Sequence, residues 1–503
     1  MWKSLLSPRI SDWMGYFRGL RHCWPSHDPS LRVDLDTVLL HWTPRDPFTV
    51  RDFVNGGIAV LGRTGSGKTS SSGMLLAESI VRFPRSGGLI LGSKPEDRAM
   101  WEAIFTKAGR SADLFVFGPE RSLRFNFLNY AQQLSDEPRN IVHCLQTLGE
   151  GLRSSDNQPT GDQAKFWKLQ DDRLLYCAVV ILKQALGQVT APDLQRFIAE
   201  AATSPEQISD PQWVAGIHSQ WLEAANQAPK SEIETHDFEL AVEYWLGFHK
   251  IAEKTRSCIV ASVFGILHVL NTGVVRSLTS GETNITPEDM FQGKWVFVDM
   301  SPAAWGVAGN LVANGWKYLT QRAVLKRAAG ENDFINVIWT DEAHLFVNSH
   351  DATYLAQCRS HRGCMVMLSQ SLSGFYSAMP GEVGEHQTLS LLAGFSHTIV
   401  HATDPISAEW AAGKLGKQRE TFFGGSLQPS GDFYDELFGP SRITGSYSDH
   451  YEPVLQERVF MNGLRTGGRA NDFICDAIVI RSGEPFANGA NWLWREFSQK
   501  VMS

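Results

Sequence analysis

No CxxC pair occurs anywhere in this sequence. Its seven cysteines, Cys23, Cys144, Cys177, Cys258, Cys358, Cys364 and Cys475, are scattered and odd in number. That excludes a disulfide framework and argues against structural zinc; it predicts reduced, mostly buried thiols in a cytosolic compartment. Positive charge is not in excess. There are 46 Lys and Arg against 54 Asp and Glu, a net charge of −8, which excludes a globally basic nucleic-acid binder but leaves a locally basic channel open. Long apolar runs are missing too. The longest, Leu174–Leu182 and Cys258–Leu267, are too short to cross a bilayer, and no cleavable signal is visible. The predicted location is cytoplasmic, at most peripheral at the inner face of the membrane. No internal repeat is present. What is there is a 503-residue chain of ordinary globular composition, long enough for about three domains.

The chain changes texture along its length. Residues 1–50 form an N-terminal segment. Within it, residues 1–24 set Trp2, Leu5, Leu6, Ile10, Trp13, Phe17 and Leu20 at helical spacing among Lys3, Arg9, Arg18 and Arg21. This is either a membrane-surface or partner-docking helix, or a helix packed on its own domain. From 51 to 130 short apolar runs, "GGIAVLG", "GGLILGSK" and "ADLFVFG", alternate with helical stretches, the punctuation of βαβ units and a parallel sheet. Residues 131–285 read as an inserted all-α domain. Phe166, Leu169, Leu174, Ala178, Ile181 and Ala185 recur at helical intervals, and Thr190 with Pro192 marks a helix start. From 286 to 424 strands return as "KWVFVDM", "FINVIWTDE", "GCMVMLSQS" and "FSHTIVHA". Residues 425–503 complete the α/β domain with one more strand, in "NDFICDAIVIRSG". The Gly/Ser/Asp-rich segments 150–163 and 424–450 are expected to be loops.

One motif carries defined chemistry. "GRTGSGKT" (62–69) matches G-x-x-x-x-G-K-[ST]. Its glycines let successive backbone N–H groups turn toward phosphate oxygens, and the following helix N-terminus adds partial positive charge. Gly62, Arg63, Thr64, Gly65, Ser66, Gly67, Lys68, Thr69 and Ser70 are the expected nucleotide-binding residues. Lys68 would reach the β- and γ-phosphates of ATP, and the Thr69 hydroxyl would ligate Mg2+. "VIWTDE" (337–342) is an apolar strand ending in two acids. Asp341 is expected in the Mg2+ shell, with Glu342 polarising the attacking water. The letters "DEAH" (341–344) suggest a helicase core, but the acids lie 273 residues after Lys68 (341 − 68) and no Q-x-x-R-x-G-R-like motif follows. His344 is therefore read as a packed or solvated residue. Gln370 closes the next strand, where ligand-facing groups of parallel sheets gather, and is expected to sense the γ-phosphate. "CRSHRG" (358–363) offers Arg359 and Arg362. An arginine from a neighbouring subunit can stabilise charge on a transferring phosphate, and a solvated arginine is the plain alternative.

Three blocks taken together, "VLGRTGSGKTSSSG", "IWTDEAHLFVNSHDATYLAQCRSHRGCMVMLSQSLSGFY" and "HATDPISAEWAAGKLG", resemble the type IV coupling proteins. These are TraG/TraD-like conjugative DNA-transfer ATPases, some with a TraM-recognition-type segment, within the FtsK/HerA group of motors. The resemblance spans about residues 50–500. It implies a RecA-like P-loop fold with a mainly parallel central sheet and an all-α insert, assembled as a homo-hexamer around DNA, with ATP and Mg2+. It also implies a relaxase or secretion-channel partner. It gives Gly62, Gly67, Lys68 and Thr69 the phosphate and metal contacts, Asp341 and Glu342 the Walker B roles, and Gln370 the sensor role. Arg359 takes the position of the arginine that reaches a neighbour's site. Many coupling proteins begin with transmembrane helices and this sequence shows none, so it is expected to reach a membrane through a partner or residues 1–24, or to work in the cytosol. The expected function is a DNA-stimulated ATPase that moves DNA or a DNA–protein substrate through a ring. The alternative is a cytosolic regulatory or scaffold ATPase of a mobile-element or defence system that switches partners on ATP binding. A degenerate, non-hydrolysing module is opposed by the intact Lys68, Thr69, Asp341 and Glu342.

Overall fold

The computed structural model describes residues 34–135, 137–150, 162–330, 333–379, 382–428 and 442–499. The amphipathic segment 1–24 and most of the loop expected at 150–163 lie outside these residues.

The first described elements are a hairpin, β1 (Val38–Thr43) and β2 (Asp46–Thr49). Then come β3 (Ile58–Leu61), β4 (Ser86–Leu91) and β5 (Leu114–Phe117), followed by β6 (Trp295–Val298), β7 (Ile335–Thr340), β8 (Gly363–Ser369) and β9 (His397–Val400). A second hairpin, β10 (Lys417–Gln428) and β11 (Arg442–Pro453), precedes β12 (Ile474–Arg481) and β13 (Trp492–Ser498). Nine of these strands form one sheet in the order β13-β12-β9-β3-β8-β7-β4-β6-β5. From β9 to β5 every pairing is parallel; β12 and β13 add an antiparallel edge.

The central strands are apolar without alternation because both faces are covered. Ala59 and Leu61 of β3 join one core and Ile58 and Val60 the other. The first core continues into the helices between β5 and β6 and into the helix Pro302–Lys326; the second lies under Met74–Arg82, Asp97–Lys107 and the β1–β2 hairpin. Between β5 and β6 the described elements are all helices, the longest being Asp162–Leu186 and Glu253–Asn271. Thr190 caps Ala191–Ala199 by accepting from Asp193 N, as the sequence predicted. In Asp162–Leu186 the packed stripe begins at Leu174. Phe166 and Leu169, counted in the same stripe from spacing, are exposed.

Two expectations are corrected. The segment 424–450, read as a loop, contributes to a hairpin whose ladder runs from Lys417↔Pro453 to Gln428↔Arg442. Its glycines and serines weaken strand propensity, but pairing in a sheet depends on the partner strand more than on intrinsic preference. The C-terminal stretch supplies two strands to the main sheet rather than one, because Trp492–Ser498 pairs along nearly the whole of β12.

Candidate functional site

β3 delivers the chain into the Gly62–Lys68 loop at the carboxyl end of the parallel strands. The loop is clamped where it starts: Gly62 N donates to Ser369 O at the end of β8, and Arg63 N to Ala402 O just past β9. Gly65 and Gly67 have φ of 77° and 88°, the left-handed region that glycine enters without strain. Gly67 is further fixed by crowding, since a Cβ there would lie 2.2 Å from Cys475 Sγ. Past Lys68 the chain makes one wide turn, Thr69–Gly73, and continues as Met74–Arg82.

β7, two strands from β3, brings the acids to this loop. Lys68 Nζ lies 3.2 Å from Glu342 Oε1, with both side chains under one-tenth exposed. Thr69 Oγ1 donates to Asp341 Oδ2 at 3.4 Å, and Asp341 Oδ1 accepts from Glu342 N. β8 contributes Gln370, whose Nε2 donates to Glu342 Oε1 at 3.0 Å and whose Oε1 accepts from Thr64 Oγ1 at 2.7 Å. Lys68, Thr69, Asp341, Glu342, Gln370 and Thr64 therefore form one connected group. Glu342 sits at φ 50°, ψ 54°, a left-handed conformation that costs a glutamate about 1–3 kcal/mol and concentrates at functional sites.

The acids are electrostatically poised. Burial, followed by the nearby Asp97 carboxylate, pushes the Asp341 carboxyl up to about 6. Asp97 opens the helix Asp97–Lys107, and its Oδ2 accepts from Ser93 N and Lys94 N in the turn between β4 and that helix. Burial also lowers the pKa of His344, whose Nδ1 is 3.7 Å from Glu342 Oε2. Under the loop, His401 is fully buried and held near 4 by desolvation, so it is neutral. Its Nδ1 faces Asp476 O and its Nε2 faces Ser72 Oγ at 2.7 Å. With the carbonyl able only to accept, Nδ1 carries the proton and Ser72 donates to Nε2.

The group fits a magnesium-bound triphosphate. Glu342 Oε2 and Ser66 Oγ are buried without a hydrogen-bond partner among the described residues. Such atoms call for a ligand or water. Among the described residues no cluster of three or more His, Cys, Asp or Glu could hold a metal. One carboxylate beside one hydroxyl suits Mg2+, which takes its remaining ligands from phosphate and water. Thr69 and Asp341 are that pair.

Arg359 is not part of this group within the chain. It lies in the turn Cys358–His361 before β8, whereas Gln370 follows its far end. The seven residues of β8 separate them by about 23 Å at ~3.3 Å per residue. With Arg51 and Arg362, Arg359 lines a cavity of about 760 Å³ at the amino ends of the strands. Asp97, His344, Ser72, His401 and Cys475 were not identified as site residues from the sequence. Only Asp97 had a usable signal, as an acid just past a buried strand in "GSKPED".

No family model matches the chain, and no curated protein matches it in sequence. Solved structures do match in fold. An unbound form of the bacterial conjugative coupling protein TrwB aligns over 94% of this chain and 92% of its own, with 15% identity and a TM-score of 0.57. TrwB bound to the ATP analogue ADPNP aligns over the same shares at 16% identity and 0.55. TrwB bound to ADP and Mg2+ covers 90% and 88% at 15% identity and 0.54. No single helix among the described residues is long and apolar enough to cross a membrane. With its P-loop at the carboxyl ends of a mainly parallel sheet, the chain has the RecA-like α/β fold of the conjugative coupling protein TrwB.

Proposed function

We propose that this chain is an ATPase that binds Mg-ATP at Gly62–Ser70 and uses its hydrolysis, as a ring of identical subunits, to move DNA or a DNA–protein substrate. The observation that carries the reading is the contact of Lys68 and Thr69 with Glu342 and Asp341 across 274 and 272 residues of chain. A fold that converges a P-loop Lys-Thr pair on a buried Asp-Glu pair has the parts of a phosphoryl-transfer site. The likeness to TrwB, solved with ATP and GTP analogues and with ADP and Mg2+, supports the same ligands here.

In this reading the loop amides orient the triphosphate and Lys68 neutralises its terminal charge. Thr69 and Asp341 hold Mg2+, which when bound withdraws charge from the phosphate oxygens. Glu342, already desolvated and strained, accepts the proton of the attacking water, and Gln370 positions that water between itself and Glu342. The strands 51–130 and 286–424 then form the motor, 131–285 an all-α insert, and 425–503 its closing edge. Arg359 acts on a neighbour. A head-to-tail contact between the amino ends of one sheet and the carboxyl ends of the next brings it to the adjacent P-loop, and such heterologous contacts close into rings.

The scaffold alternative keeps the site and removes the motor. Turnover separates the two. Hydrolysis of ATP should rise on addition of DNA and vanish in Lys68→Ala. Hydrolysis that Lys68→Ala abolishes but DNA leaves unchanged would refute the motor and favour the scaffold.

A further inference from the structure

The two carboxylate oxygens of Glu342 have different surroundings. Oε1 is held twice, by Lys68 Nζ at 3.2 Å and by Gln370 Nε2 at 3.0 Å. Oε2 is buried and has no hydrogen-bond partner among the described residues. It faces His344, whose Nδ1 stands 3.7 Å away, about 0.8 Å beyond an ordinary N–H···O bond. An unpaired buried carboxylate oxygen is costly, and this ring is placed to relieve it.

The fold brings the ring there by reversing the chain. Glu342 is left-handed, at φ 50°, and the short turn Ala343–Leu345 follows at once, closed by Leu345 N donating to Glu342 O. The residue two places on is thereby carried back over the carboxylate. Groups beyond β7 then hold the ring. Gly374, in the helix Leu372–Ala378 that follows β8, packs so close that a Cβ on it would lie 3.1 Å from His344 Cγ. Ser369, the last residue of β8, brings its Oγ to 3.4 Å from Nδ1. The Ser369 hydroxyl donates to Ser371 O, which leaves its oxygen to accept. The Glu342 carboxylate also only accepts. With two acceptors facing it, Nδ1 carries the proton.

We propose that His344 is a positioning residue for Glu342: its Nδ1–H, steadied by Ser369, holds Oε2 in the orientation that meets the attacking water. The inference rests on the ATPase reading of the site and adds a residue that acts through Glu342 without touching the nucleotide. In that reaction Lys68 has to serve the terminal phosphate as well as Glu342. The supports of His344 belong to β8 and the helix after it, not to the P-loop, so the carboxylate stays aimed as Lys68 turns to the phosphate. Each carboxylate oxygen has two lone pairs, so Oε2 accepts from His344 and still takes the proton of the water.

Steady-state hydrolysis of Mg-ATP by the full chain tests this, using wild type, His344→Leu and His344→Asn. Leucine fills the space over Gly374 without a donor, whereas asparagine carries an N–H at about the reach of Nδ1. The kcat of His344→Leu should fall about tenfold to a hundredfold, the loss of one hydrogen bond to a charged group. Its KM for ATP should stay within about twofold, because the contact serves the transition state. His344→Asn should recover kcat to within about threefold of wild type. Should His344→Leu fail to fold, His344→Gln takes its place: its amide lies one bond further out, near Nε2, and it should lose kcat where His344→Asn does not. Equal falls in the donor-keeping and donor-lacking variants would make the ring a packing element and overturn the proposal. So would a KM that rises in step with the fall in kcat, or wild-type kcat in His344→Leu. Wild type that hydrolyses no ATP, or whose hydrolysis survives Lys68→Ala, would overturn the ATPase reading itself. Hydrolysis that Lys68→Ala abolishes and His344→Leu leaves intact would overturn only the role of His344.

Discussion

Removing the Asp341 carboxylate, the proposed Mg2+ ligand, should stabilise the metal-free protein. Asp341 is buried, and its carboxyl rises from the ordinary 3.8 to about 6, through desolvation first and Asp97 second. A carboxyl raised in the folded state favours folding below its unfolded value and loses that contribution as pH climbs through about 6. At pH 7 the ionised group therefore weighs against the fold by roughly two pH steps at ~1.36 kcal/mol each, about 3 kcal/mol. Asp341→Asn removes the charge and keeps an oxygen to accept from Thr69 Oγ1 or Glu342 N, which Asp341 now serves. Unfolding entropy of ~2.1 cal/mol/K per residue over 503 residues is about 1 kcal/mol/K, so the variant should melt about 3 °C higher. The assay is thermal unfolding of EDTA-treated wild type and variant at pH 7 and pH 4.5. The gain should be present at pH 7 and shrink at pH 4.5, where wild type carries the proton. Adding Mg2+ should raise the melting point of wild type more than that of the variant. An Asp341→Asn protein that melts at or below wild type at pH 7, or whose advantage is undiminished at pH 4.5, would refute the electrostatic reasoning.

Two further outcomes follow from charges elsewhere in the chain. Lys317 and Asp351 are both fully buried and 2.6 Å apart, so Lys317→Met strands a carboxylate and should cost about 3–5 kcal/mol. Lys317→Met with Asp351→Leu should recover part of that in urea denaturation, and equal losses in single and double variants would dismiss the ion pair as the cause. Arg359→Ala subunits mixed with wild type should depress ATP hydrolysis more than in proportion to their share, because each spoils a neighbour's site. Activity strictly proportional to wild-type content would remove Arg359 from that role.

The sequence disclosed what is encoded locally. The spacing of Gly62, Gly67, Lys68 and Thr69 is itself the chemistry of a phosphate cradle, and a strand that ends in Asp341-Glu342 or Gln370 announces which end faces the ligand. It did not disclose what reaches the site by pairing. Gln499 meets Ser70 across 429 residues, and nothing in "REFSQK" marks that glutamine. Cys475 read as one buried thiol among several, and its place beside Gly67 follows only from β12 docking on β9. The β10–β11 hairpin was hidden for another reason. Gly424, Gly425 and Gly445 resemble loop chemistry, while the ladder that fixes them is a property of two segments together. His344 was weighed without knowing that Glu342 turns left-handed and brings the ring within 3.7 Å of its own carboxylate.

That left-handed Glu342 also constrains how the site can report its state. The chain beyond it is pinned within nine residues. Lys317 Nζ holds Phe346 O, and Asp351 is gripped by Lys317, Gln321 and Asn348 N. Between those anchors Ser349 Oγ bonds both oxygens of Glu150, at 3.0 and 2.9 Å, at the end of the helix Arg139–Glu150. Relaxing the strain at Glu342 changes a backbone dihedral, not only a rotamer, so segment 343–351 must move or its anchors must stretch. The Lys317 and Asp351 contacts are buried and costly to break; those of Ser349 are exposed and cheap. The compliant link is therefore the one to Glu150. A backbone change at Glu342 would therefore loosen the exposed Ser349–Glu150 contact before the buried Lys317–Asp351 pair.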